Sequence, residues 1–89
     1  MNSKIGKIYK LSKKMFSIYL FSNKTCNMEY CITSLSIPNT TRYKPVLILS
    51  EEKSKTASIF KVLTMDGIIG YVWDSNKFPI AFEEYTDNK

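Results

Sequence analysis

The sequence predicts a mainly β protein, a small antiparallel β-barrel of about five to seven short strands, and three observations carry that expectation. β-Branched and aromatic residues recur in short runs that alternate apolar with polar positions, the two-residue period of a strand with one buried face. No window sustains an apolar stripe of helical period. Between two of the runs stands Met65-Asp66-Gly67, whose Asp-Gly step supplies the positive φ angles that a tight hairpin needs. At 89 residues a single domain spanning 1–89 is expected. Short antiparallel strands without a crossover helix cannot cover both sides of a flat sheet at this size, so the sheet has to curl or close.

Taken in order, Ile5 to Leu11 reads as the first strand, with Ile5, Tyr9 and Leu11 on one side, Ile8 on the other, and Gly6 allowing a bend. Phe16 to Phe21 alternates Phe16, Ile18 and Leu20 against Ser17, Tyr19 and Phe21. Tyr30 to Ile37 follows a polar stretch and places Cys31, Thr33, Leu35 and Ile37 on one face, with Ile32 turned away. Pro38 stops it, having no N–H for a ladder. After a loop through Asn39 to Arg42, the apolar run Val46 to Leu49 reads as a short strand covered on both faces. Glu51 to Thr56 is polar throughout and reads as an exposed connection.

Ala57 to Thr64 and Ile68 to Trp73 flank the turn as a hairpin. A two-residue loop sets Val62 opposite Tyr71 and Phe60 opposite Trp73; a bulge at Gly67 sets Val62 opposite Gly70 and Phe60 opposite Val72. Asp74-Ser75-Asn76 is turn chemistry, Phe78-Pro79 an irregular segment, and Ala81 to Tyr85 the last strand.

Two stretches carry a resemblance. Lys4-Ile5-Gly6-Lys7-Ile8-Tyr9-Lys10-Leu11 looks like an opening strand with an early glycine, and Val62 to Val72, with Gly70 followed by Tyr71, looks like a distal hairpin. With Phe82-Glu83-Glu84-Tyr85 as closing strand, the pattern resembles small SH3-like barrel proteins of tailed bacteriophages and bacteria. The resemblance implies that fold and the habit of acting as a docking module in the cytoplasm. The alanine-leucine-tyrosine-aspartate-tyrosine motif and paired tryptophan of signalling SH3 domains are missing, so their proline-rich ligand does not carry over.

Lys and Arg outnumber Asp and Glu by 13 to 8, a formal charge of +5. Such a sign points to nucleic acid or anionic surfaces. Residues with AT-rich codons make up nearly half of the chain, however, and Arg42 is the sole arginine, so the planar fork suited to phosphate and guanine is scarce. Histidine is absent, which removes His-dependent acids, bases and nucleophiles together with most zinc spacings. Glu83 and Glu84 are neighbours in a strand and point to opposite faces, while Asp66 and Asp74 are explained by their turns. Catalysis, cofactor and metal are therefore not expected. Cys26 and Cys31 are expected as free thiols, and Met1 to Phe21 is too short and interrupted in its apolar run for a targeting or membrane-spanning segment.

What remains is recognition. The leading expectation is a non-enzymatic module that docks on a larger protein through Tyr43, Tyr71, Trp73 and Tyr85. The alternative is a basic nucleic-acid binder using Lys7, Lys10, Lys13, Lys14 and Arg42 beside stacking aromatics. A third possibility is self-assembly through an exposed strand edge near Tyr30 to Ile37. The discriminating observation is placement: lysines and aromatics on one surface favour nucleic acid, and their separation favours a protein ligand.

Overall fold

Seven strands form in the structure, a computed structural model that describes residues 3–40 and 43–85. They are β1 (Ile8–Ser12), β2 (Ile18–Phe21), β3 (Cys31–Ser36), β4 (Val46–Lys53), β5 (Ala57–Thr64), β6 (Ile69–Ser75) and β7 (Ala81–Glu84), with one 3₁₀ turn at Met28–Tyr30. All pair antiparallel in a single sheet of order β3-β2-β6-β5-β4-β1-β7, curled into a half-barrel that brings β1 near β3. The mainly β expectation therefore holds.

The concave side is lined by Leu11, Leu20, Leu35, Val46, Ile48, Phe60, Val62 and Val72, all fully buried. Phe60 sits near the centre and meets Phe82 edge to face at 5.1 Å between centroids. Each such side chain contributes roughly 1.5–3 kcal/mol through burial. Tyr9 and Leu11 point inward from β1 as their spacing requires.

The hairpin of β5 and β6 takes the bulged register, with Val62 opposite Gly70 and Phe60 opposite Val72. Gly67 has φ +87 and donates its N–H to the Thr64 carbonyl at 3.0 Å, while Thr64 N–H reaches the Ile68 carbonyl at 2.8 Å. The left-handed residue at the third loop position is what a three-residue hairpin loop demands.

Several boundaries differ from the sequence expectation. β4 does not stop at Leu49 but continues through Glu51, Glu52 and Lys53, because β5 offers Phe60, Ile59 and Ser58 as ladder partners. A register shift between Ile48 and Ser50 accommodates Leu49. β3 does not present one face. Two register shifts against β2 interrupt its alternation, so Leu35 and Ser36 are both buried and Ile37 is exposed. Ile5 and Phe16 lie outside the strands and are exposed. Asp74 and Ser75, expected in a turn, still belong to β6.

The two sheet edges are shielded differently. β7 carries Glu83 and Glu84, and charge on an edge discourages further pairing. β3 is bulged, and the Tyr43–Lys44 segment folds back on its end: Tyr43 bridges to Ser36 and Lys44 N–H donates to the Leu35 carbonyl at 2.9 Å.

Candidate functional site

Two loops build the most distinctive surface. The first, residues 13–17, joins β1 to β2 and lifts Lys13, Lys14, Met15 and Phe16 out of the sheet. The second, residues 76–80, joins β6 to β7 and is tied down by side chains at the end of β6. Ser75 Oγ accepts the Lys77 N–H at 3.1 Å, and Asp74 Oδ1 accepts the Ile80 N–H at 2.9 Å. Asn76 anchors the same loop to the β4–β5 connection through the Lys55 and Thr56 carbonyls. Ile80 is drawn into the core, which leaves Lys77 and Phe78 projecting outward. The loops meet where Phe16 and Phe78 pack edge to face, 4.9 Å between centroids.

Two grooves open on either side of that contact. A groove of about 310 Å³ lies toward β2 and β6, walled by Tyr19, Met28 and Trp73. A larger one of about 610 Å³ runs toward Tyr43, Lys14 and Lys77. Lys13, Phe16 and Phe78 line both, so the grooves form one continuous face. Every charged side chain lining them is a lysine; no Asp or Glu does so among the described residues.

The lysines sit over the rings. Lys13 Nζ is 5.6 Å from the Trp73 ring centroid, Lys10 Nζ 5.6 Å from that of Tyr43, and Lys77 Nζ 5.6 Å from that of Phe78. An ammonium held over the face of an aromatic ring is attracted by its quadrupole. Lys10 is shared with Glu83, 3.7 Å away. Burial lowers the pKa of Lys13, and the Asp74 carboxylate works in the opposite direction to a lesser degree.

The structure thus brings together Lys13, Lys14, Tyr43 and Trp73 around the grooves from the sequence-predicted residues, and Lys10, which lines neither groove, reaches Tyr43 from β1. It leaves others apart. Tyr71 is half-buried on β6, opposite Phe21 and Lys61, and Tyr85 follows β7 with its N–H on the Ile8 carbonyl, so neither lines the grooves. Lys7 is exposed beyond the face, and Arg42 lies outside the described residues. Sequence reasoning missed Phe16, Lys77 and Phe78. Phe16 was absorbed into a strand pattern, and the signal for Phe78 was its place between a lysine and a proline in a polar loop.

Cys26 borders the smaller groove with φ +52, and burial pushes its thiol up to about 11. It and Cys31 are free thiols. Among the described residues no helix is long and apolar enough to cross a membrane. No family model matches the chain, and no curated protein or solved structure does so either.

Proposed function

We propose that this chain is a non-enzymatic recognition module whose ligand is nucleic acid, bound along the face shared by Lys10, Lys13, Lys77, Tyr43, Trp73 and Phe78. One observation supports the choice above all others: lysines stand over Tyr43, Trp73 and Phe78 on a face whose two grooves are lined by no carboxylate among the described residues, with Glu83 beside Lys10 and Asp74 near Lys13 at its margins. Cations there neutralise phosphates, and exposed rings offer stacking area to bases. Anisotropy titrations with labelled single-stranded DNA, duplex DNA and RNA at low and raised salt test the reading. Binding to at least one of them that weakens steeply with salt is expected; no binding to any of the three overturns it.

A second reading, docking on a larger protein, draws on the methionines. Met15 is 78% exposed and Met28 59%, and adaptable thioethers beside a groove suit a protein surface. A stoichiometric partner recovered from nuclease-treated lysate, and lost on Met15→Ser or Tyr43→Ala, would favour it over nucleic acid. Self-assembly through β3 has less in its favour, because the strand is bulged and its end is occupied by the Tyr43–Lys44 segment.

The finer fold we propose is the SH3-like barrel, on the strength of the opening strand with Gly6 and the hairpin with Gly70. A cytoplasmic setting, where thiols stay reduced, goes with it.

A further inference from the structure

We propose that the face takes a single strand, whose bases stack on Trp73, Phe78 and Tyr43 while the lysine over each ring leaves it to meet a phosphate. The inference rests on the nucleic-acid reading above and specifies which nucleic acid and how. Three of the rings on this face each carry a lysine at 5.6 Å, while a fourth pair, Lys4 over Phe82 at 4.9 Å, lies off the face. They also run in order: Tyr43 lines only the larger groove, Trp73 only the smaller, and the Phe16–Phe78 contact lies between and lines both.

Each pair resembles one nucleotide's worth of binding chemistry, a flat apolar surface next to a mobile cation. In the free protein the ammonium stands over a ring that is still exposed. A base holds an exposed ring more strongly than an ammonium does, and the displaced lysine gains a full negative charge, so the exchange favours the bound strand. Lys13 has the most to gain. Its ammonium is partly desolvated, and the nearby Asp74 carboxylate already accepts the Ile80 N–H. Lys10 has to leave Glu83 as well as Tyr43, which makes Tyr43 the weakest of the three positions. A duplex keeps its base faces stacked inside and offers these rings nothing.

The probes are a labelled oligothymidylate of about fifteen nucleotides, its abasic counterpart with the same phosphates, and a duplex of equal length. The oligothymidylate is expected to bind at least about tenfold more tightly than either of the others, the effect of roughly one well-stacked base. Trp73, the sole tryptophan, reports directly, and its emission should be quenched on binding. Trp73→Ala should lower affinity about tenfold and Trp73→Phe restore most of it, which separates lost stacking from lost folding. Lys77→Ala should reduce the slope of log affinity on log salt by about 0.7. Equal binding of the abasic strand or the duplex, or unquenched Trp73, overturns the stacking exchange while leaving an electrostatic nucleic-acid interface in place. Failure of all three probes removes both.

Discussion

Gly70 of β6 passes so close beneath Leu20 of β2 that a Cβ built on it would lie 2.7 Å from Leu20 Cδ1 and 2.7 Å from the Phe21 carbonyl oxygen. β2 and β6 share a single registered pair, Phe21 with Tyr71, and the close approach lies one residue from it. Gly70→Ala forces backbone apart and is expected to lower stability by about 2 kcal/mol, within the range for overpacked cores. Urea titration with an unchanged m-value would show it, and a loss under about 0.5 kcal/mol would mean that β2 yields freely.

Gly67 is the contrasting case. A Cβ built on it meets nothing within 4 Å, and its φ of +87 lies in the left-handed region, so Gly67→Ala meets only backbone strain. The expected loss is about 1 kcal/mol, and Gly67→Asn, which tolerates the left-handed region, should recover part of it. No recovery in Gly67→Asn would show that the loss at Gly67 does not come from backbone strain.

The Cys26 thiol gives the fold an alkaline limit. In the unfolded chain it ionises near 9.0, while in the folded protein burial delays ionisation to about 11. Between those values the native state holds the proton and the unfolded state does not, so stability falls as pH rises; below pH 9 the thiol has no effect. Denaturant titrations of the wild type and Cys26→Ala, compared across that interval, should show the wild type losing stability more steeply. Parallel curves would mean that the thiol is solvated.

Much of the fold was legible in the residues themselves. Tyr9 and Leu11, the β5–β6 hairpin and the sheet's need to curl follow from two-residue periodicity and Asp-Gly turn chemistry, which are local. What was not legible is set by partners distant in sequence. Glu51, Glu52 and Lys53 read as a connection by composition and become strand because Phe60, Ile59 and Ser58 stand opposite. The register shifts of β3 likewise depend on β2. The site divides the same way: Lys13 and Trp73 were visible as residue types, but the meeting of Phe16 with Phe78 depends on two loops more than sixty positions apart, and no local pattern encodes it.

Asp74 separates charge from geometry at the proposed nucleic-acid face. Its carboxylate lies near Lys13 and would oppose the phosphate of the proposed ligand, yet its Oδ1 accepts the Ile80 N–H at 2.9 Å and so fixes the loop that carries Lys77 and Phe78. Asp74→Asn keeps an acceptor oxygen and removes the charge, so affinity for oligothymidylate is expected to rise about twofold at low salt, an advantage that fades as salt screens it. Asp74→Ala removes charge and acceptor together. Leaving the Ile80 N–H unpaired costs about 1–3 kcal/mol, and a loosened loop no longer presents Phe78 beside Phe16, so affinity should fall about threefold or more although the protein has become more basic. Opposite signs for the two substitutions, measured by the same anisotropy titration, would show that loop position governs the interface. If both variants bound more tightly by the same factor, charge alone would account for binding and the placement of Phe78 would be irrelevant.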